Sequence, residues 1–216
     1  MFILTKVADL VRIDPNDFSK KSIHAIEDNI NAKYANKVGD ATASISSMNK
    51  ILCTDIRQVI QKIGLCICLY DLLWTSEGLI GHGDGYVNVN VEFRLVVFHP
   101  FKGEVMFARI SSCSPNGIHL RTDFFDDILI PFDELPDEAE YDMNQQLWVW
   151  NIEDTRMFYD NHEMVRFRVI DEEWHDQTPT KPIERGEESD EPRNPPYRIR
   201  GSMKDPGLGV CIWWDE

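Results

Sequence analysis

The chain has 216 residues, enough for one large domain or two small ones, and its 43% hydrophobic and 27% charged content is that of a folded protein. Its net charge of −15 lies almost wholly in the second half, because residues 1–100 carry 10 basic and 11 acidic side chains while residues 101–216 carry 12 and 26. Such an acidic half repels phosphate, which excludes nucleic-acid binding by overall charge alone; a contact with RNA needs a local basic patch or base stacking.

The first 37 residues predict a strand followed by a helix. Residues 1–13 are a β-type run without the basic lead and cleavage site of a signal peptide, so we expect a first strand there. From Phe18 to Lys37, apolar residues recur at steps of three and four, which is typical of one stripe of an amphipathic helix. Asn16 or Asp17 would cap this helix, because a short polar side chain accepts hydrogen bonds from the unpaired N–H groups of the first turn.

Two further strands complete the first predicted domain. Ile63–Leu72 predicts a buried strand, and a long strand is predicted from about residue 86 to 98, because alternate residues are apolar there. The alternating set is Val87, Val89, Val91, Phe93, Leu95 and Val97. The order strand, helix, strand, strand predicts a small α+β domain over residues 1–82, followed by a second domain over residues 83–216.

The second half predicts a β-barrel. Turn sequences stand at Pro115-Asn116-Gly117 and Pro131-Phe132-Asp133. Met164–Trp174 alternates inward apolar and outward charged residues, and Tyr197–Trp214 is again strand-like. Between them, residues 177–196 are rich in Pro, Glu and Asp, which predicts a disordered acidic loop. A five-stranded barrel with an insertion accounts for this order.

Motifs for catalysis, metals or membranes are not found in the sequence. The six histidines are dispersed, and the carboxylates of Asp126-Asp127 and of residues 171–173 come without a nucleophile or a phosphate-binding loop. We therefore expect no catalytic residue, no metal and no cofactor. The five cysteines form no CxxC pair, and Cys66 and Cys68 lie in an apolar run, so reduced, buried thiols of an intracellular protein are predicted. No apolar run reaches the roughly 18 residues that span a bilayer, so no membrane contact is expected.

A series of short motifs resembles the stalk subunit of eukaryotic RNA polymerase III, which belongs to one family with the E-type stalk protein of archaeal RNA polymerase. In chain order they are MFIL (Met1–Leu4), INAKYANK (Ile30–Lys37), GLCICLYDLL (Gly64–Leu73), FRLVVFHPFKGE (Phe93–Glu104), FFDDILIP (Phe124–Pro131) and PGLG followed by two tryptophans (Pro206–Gly209, Trp213, Trp214). The last two resemble the polymerase III version in particular, and the resemblance covers nearly the whole chain.

The resemblance implies an α+β tip domain at the N-terminus, then an S1-type OB β-barrel, and no active site. It also implies a nuclear protein that pairs with a smaller helical partner subunit, joins the polymerase III core near the clamp, and works with initiation factors and nascent RNA. Two alternatives stay open. A free-standing S1-domain RNA-binding protein is disfavoured by the acidic charge and the tip domain. The equivalent subunit of RNA polymerase II or I is disfavoured by the FFDDILIP and PGLG motifs.

The resemblance also indicates candidate binding residues. In an S1 barrel, RNA lies across one face, where aromatic rings stack on bases and cations meet phosphates. The candidates for RNA are Lys102, Arg109, His119, Arg121, Phe124 and Phe125; the alternative is that the phenylalanines are core residues and the charges ordinary surface. The candidates for partner binding are Met1, Phe2, Ile3, Leu4, Trp213 and Trp214, although the tryptophans would equally serve to close the barrel.

Residues 38–58 depart from the family pattern, in which the ANK motif runs directly into the next strand. This insert of 21 residues is either a loop extension or a short intron translated in frame. Removing it joins Lys37 to Val59 and restores ANKVIQKIGLCICLYDLL, and Val38 and Gln58 are compatible with codons that carry the bases of splice boundaries. These features favour the intron hypothesis, which requires a spliced transcript that joins Lys37 directly to Val59.

Overall fold

A computed structural model describes residues 1–34, 59–81, 83, 85–152, 155–175 and 195–214. The insert at 38–58 and the acidic segment 177–194 lie outside the described residues. The chain forms two compact units, Met1–His99 and Pro100–Glu216. No helix among the described residues combines the length and the apolar content needed to cross a membrane.

The first unit is an antiparallel sheet. Its described strands are β1 (Phe2–Ile13), β2 (Val59–Ile60), β3 (Gly64–Thr75), β4 (Leu79–Ile80) and β5 (Val87–Phe98). They are ordered β1-β5-β3-β2, with β4 beside β5. The three predicted strands of this unit are confirmed, and β5, which follows the domain boundary predicted at residue 82, is the central strand of this sheet.

One helix, α1 (Ser22–Tyr34), packs on one face of the sheet. It starts later than the predicted Phe18, because a separate 3-10 turn (Pro15–Ser19) comes first. Asp14, rather than Asn16 or Asp17, caps that turn: its Oδ1 accepts a hydrogen bond from the Asn16 backbone N–H at 2.9 Å. The chain then extends at Lys20, so the helix has to begin anew.

The core of the first unit lies between α1 and the inward side chains of β1, β3 and β5. Its buried members are Val11, Ile13, Ala25, Ile26, Ile30, Cys66, Val89, Val91, Phe93, Leu95 and Val97. Burial raises the pKa of Cys66 to about 12, so this thiol stays protonated. The prediction that Cys68 is buried too was wrong: the pairing register shifts between Cys66 and Cys68, which turns Cys68 to the opposite, exposed face.

The second unit contains a closed barrel of strands β6 (Val105–Ser114), β7 (Gly117–Arg121), β8 (Ile128–Pro131), β12 (Met164–Trp174) and β13 (Tyr197–Ser202). The neighbours run β6-β7-β8-β13-β12, and β12 pairs again with β6. Only the β8–β13 pairing is parallel among these. The described chain is thus mostly β-structure with one α-helix, and its barrel is consistent with the predicted S1/OB type.

A small sheet that the sequence analysis did not predict lies between β8 and β12 in the chain. It is made of β9 (Ala139–Asp142), β10 (Leu147–Ile152) and β11 (Thr155–Phe158). Trp148 of β10 is buried and donates a hydrogen bond from Nε1 to the carbonyl of Ser114 at 2.9 Å, which fastens the small sheet to the barrel. After β13, the chain forms β14 (Gly209–Val210) beside β12 and then a 3-10 turn at Cys211–Trp213.

Candidate nucleic-acid interface

The outer face of β6, β7 and β12 carries cations and an aromatic ring. Strict alternation produces it: Met106, Ala108 and Ile110 of β6 are buried in the barrel, while Phe107 and Arg109 between them are exposed. We call the outward residues Phe107, Arg109, Arg121 and Arg166 the basic–aromatic face.

Arg109 and Arg121 are directly opposite each other on β6 and β7. Like charges in that arrangement repel each other, and among the described residues neither guanidinium forms an ion pair. The nearest polar contact of Arg121 is with Nδ1 of His162, at 3.5 Å. Two adjacent cations without a counter-charge are suited to an anion from outside, such as a phosphate.

The two arginines line one groove. Its volume is about 320 Å³, and its lining residues are Arg109, Arg121, Thr122, Asp123 and Asp126. We call it the Arg109–Arg121 groove. It holds the two unpaired cations and, on its other side in sequence, the carboxylates of the turn that follows β7.

Phe107 offers a ring for stacking. The side chain is 57% exposed, and the Arg166 guanidinium lies 5.3 Å from the ring centroid. Nη1 of Arg166 donates to the carbonyl of Gly207 at 3.3 Å, which holds the cation beside the ring. The sequence analysis did not select Phe107 or Arg166, although the alternation of VMFARI after Gly103-Glu104 is a signal that turns Phe107 outward.

Other cations of the barrel are already paired. Lys102 precedes β6 and its ammonium lies 2.6 Å from a carboxylate oxygen of Asp171, which raises the pKa of Lys102 and lowers that of Asp171. Arg168 is paired with Asp205 at 2.8 Å. Of the predicted RNA-binding cations, the structure therefore brings Arg109 and Arg121 together in one groove and leaves Lys102 on a carboxylate.

His119 and the two predicted phenylalanines differ in exposure. His119 is half-buried on β7, and burial together with the nearby Arg198 lowers its pKa, against the opposing effect of Asp127, which favours a neutral ring at pH 7. Phe124 is also half-buried. Phe125 is 1% exposed and packs on Tyr197 with 5.4 Å between ring centroids. The expectation that Phe125 stacks on a base is therefore corrected: its ring has no face open to a ligand.

The residues predicted to bind partners fall in both units. Met1, Phe2 and Leu4 are exposed, whereas Ile3 packs against the core of the first unit. The side of the first sheet that faces away from α1 carries an apolar set that is 46–58% exposed, which we call the open sheet face: Phe2, Leu4, Leu10, Tyr70 and Trp74. Arg94 and Asp71 form a two-point ion pair on this face, with 2.8 Å from Arg94 Nε to Asp71 Oδ1.

The two C-terminal tryptophans have separate environments. Trp213 packs edge-on against Tyr159 at 4.8 Å and lies 5.7 Å from Trp150, so it contributes to the packing of the second unit. Trp214 is 40% exposed, and its Nε1 donates to the carbonyl of Leu208 at 2.9 Å. Nearby, burial raises the pKa of the Tyr159 hydroxyl. Among the described residues, no group of three or more His, Cys, Asp or Glu side chains is arranged to hold a metal ion.

Comparison with known families matches both units. Residues 104–214 match the family model of the RNA polymerase III subunit Rpc25. Residues 8–85 match the model of the SHS2 domain found in the N terminus of Rpb7p/Rpc25p/MJ0397.

Individual relatives cover the chain from end to end. It is 38% identical to the DNA-directed RNA polymerase III subunit RPC8 of Bos taurus over 99% of this chain and 98% of that protein. It is 36% identical to RPC8 of Saccharomyces cerevisiae over the full length of both. The RNA polymerase II subunit RPB7 of the same yeast is 42% identical, but over only 26% of this chain and 33% of that protein.

Proposed function

Because this chain belongs to the family of RNA polymerase III subunits that includes Rpc25 and RPC8, we propose that it works as a non-catalytic stalk subunit of that nuclear enzyme and guides emerging RNA. It is part of an RNA polymerase rather than a free-standing S1 protein, and its full-length relatives are subunits of polymerase III. Residues 1–99 are then the tip domain and residues 100–216 the barrel domain.

The basic–aromatic face is the observation that carries the RNA-binding part of the proposal. Arg109 and Arg121 are unpaired among the described residues and available to phosphates, and Phe107 is more than half exposed beside them in the sheet. Backbone neutralisation and base stacking together bind single strands without demanding a particular sequence. This local patch reconciles RNA contact with an overall charge of −15.

The open sheet face supports the assignment of a protein partner. A soluble protein rarely leaves a contiguous apolar surface without use, and five large side chains of β1 and β3 are about half exposed on this side of the tip sheet. We assign this face to the smaller helical stalk subunit and the polymerase core, where it would be buried. Initiation factors would then meet the assembled stalk.

RNA binding by the full chain tests the proposal. Labelled 12-nucleotide oligouridine is titrated at several salt concentrations, and Arg109→Ala/Arg121→Ala is compared with Lys21→Ala/Lys204→Ala, which removes two exposed cations outside β6 and β7. The arginine variant should lose roughly tenfold in affinity and lower the slope of log K against log salt by ~1.4, at ~0.7 for each phosphate contact with a single strand. Equal losses in both variants would remove the RNA role from this face.

Phe107→Ala separates stacking from charge. Loss of one stacked base costs ~1–3 kcal/mol, so affinity should fall at least fivefold with an unchanged salt slope. An unchanged affinity would mean that the ring does not stack on RNA.

A further inference from the structure

The Arg109–Arg121 groove contains charges of both signs. Its two guanidinium groups stand with the carboxylates of Asp123 and Asp126, and within the described part of the chain neither arginine is closed into an ion pair. At about 320 Å³, the groove is at the small end of ligand sites, which run from roughly 300 to 1,000 Å³. It has room for one nucleobase and not for a duplex.

A mixed lining excludes a site made for phosphate alone. Carboxylates repel phosphate, so Asp123 and Asp126 would weaken such a site rather than build it. Ionised carboxylates only accept hydrogen bonds and guanidinium groups only donate them. The ligand that fits both is a planar group with acceptors on one edge and N–H donors on the adjoining edge.

Guanine is the RNA base with that pattern. Its O6 and N7 accept hydrogen bonds, and arginine meets that pair in a two-point contact. Its N1–H and N2–H₂ are adjacent donors, which match the two oxygens of one carboxylate. Adenine, cytosine and uracil each lack a pair of adjacent donor nitrogens on this edge, so a carboxylate of the groove would meet an acceptor instead.

The turn that carries Asp123 is held in one conformation. Thr122 N–H donates to the carbonyl of Phe125 at 2.7 Å, and Phe125 N–H donates to the Thr122 hydroxyl at 3.0 Å. Phe125 is itself buried against Tyr197. The carboxylates therefore have a fixed base, and little ordering is needed when a ligand binds.

We infer that the Arg109–Arg121 groove selects a guanine base of the transcript, with Arg109 and Arg121 on the O6/N7 edge and Asp123 or Asp126 on the N1/N2 edge. This inference rests on the proposed RNA-binding function and adds base selectivity to it. Stacking on Phe107 and phosphate contact are shared by all sequences, while the groove distinguishes one base.

Four probes test it with the full chain. They are 12-nucleotide oligouridine and the same strand with one central guanosine, adenosine or inosine. Inosine keeps O6, N7 and N1–H but lacks the 2-amino group. The guanosine strand should bind at least fivefold more tightly than oligouridine, and inosine should lose most of that gain. If all four bind with equal affinity, or adenosine is preferred, the selection of guanine is overturned although RNA binding stands; if none binds, the proposed function fails as well.

Variants of the turn give the second measurement. Asp123→Asn and Asp126→Asn keep the size of each side chain, and the pair should bring the ratio of guanosine to oligouridine affinity close to one. Affinity for oligouridine should stay equal or rise, because two repelling charges are gone. A ratio that stays above fivefold in the double variant would contradict the role of the carboxylates.

Discussion

Asp9 links the first strand of the tip domain to its helix. Its carboxylate accepts hydrogen bonds from the Lys33 ammonium and, at 2.7 Å, from the Tyr34 hydroxyl. Burial raises the pKa of Asp9, but the hydrogen bonds from Lys33 and Tyr34 outweigh burial, so the net pKa is lowered. A carboxyl group with a lowered pKa in the folded state stabilises the fold above its unfolded pKa of about 3.9, and that contribution is lost as pH falls through the lower folded value.

Asp9→Asn should therefore reduce stability near neutral pH more than in acid. We expect a cost of ~1–2 kcal/mol at pH 7, because hydrogen bonds to a charged group are lost, and a smaller difference below about pH 4, where the wild-type carboxylate is protonated. Urea unfolding at both values of pH measures it. A difference that is constant with pH would show that the ionised form of Asp9 is not stabilising.

Gly117 is required where β7 passes close to β8. Its φ is +144°, and an added Cβ would lie 2.1 Å from the carbonyl oxygen of Ile130, which is backbone and cannot yield. Gly117→Ala should cost ~3 kcal/mol or more. Gly103, with a φ of +86° and open space around its Cα, is the matched control, and Gly103→Ala should cost only ~1 kcal/mol. Thermal unfolding followed by circular dichroism compares the two; similar melting temperatures would contradict the close approach.

At the scale of elements, the open sheet face is the part of the tip domain without cover. Leu4 of β1 and Trp74 of β3 lie on either side of β5, and each is about half exposed. Leu4→Ser/Trp74→Ser should reduce recovery of the smaller partner subunit at least tenfold, since apolar contact is lost at an interface.

The control for that variant is Ile23→Ser on α1, which is 57% exposed. It removes an apolar side chain of similar exposure from the opposite side of the tip domain, so partner recovery should be unchanged. Because all three positions are exposed, melting temperatures should stay within a few degrees of the unmodified protein. Equal recovery of the partner by both variants would move the interface elsewhere.

The strands with strong alternation were predictable from the sequence. The expected runs near β5 and β12 agree with Val87–Phe98 and Met164–Trp174, because period-two burial leaves an unambiguous pattern. The small sheet β9–β11 was missed, since its first strand reads Ala-Glu-Tyr-Asp and carries two charges in four residues. Cys68 was misplaced because a bulge is not visible in a periodic pattern.

The candidate site was predictable only in part. Arg109 and Arg121 were selected from the sequence, but their mutual approach depends on the register of β6 and β7, which no local pattern states. Phe125 was selected although it is buried, since the sequence FFDD does not say which phenylalanine turns inward. Phe107, which the structure leaves exposed, was not selected.

At the scale of the whole molecule, the chain divides its work between two units. Each has its own buried core, and the charge balance differs between them: residues 1–100 are nearly neutral while residues 101–216 are strongly acidic. The tip domain presents apolar surface suited to protein, and the barrel presents a local basic and aromatic surface suited to RNA within its acidic surroundings. This division is what a stalk requires, since it must hold the enzyme at one place and the transcript at another.

Affinity purification of the tagged full chain from cells at moderate salt, followed by mass spectrometry, tests the stalk assignment most directly. The account predicts recovery of the polymerase III subunits together with one small partner subunit in equal amount. Recovery of RNA-processing factors without polymerase, or of the subunits of another polymerase, would contradict it.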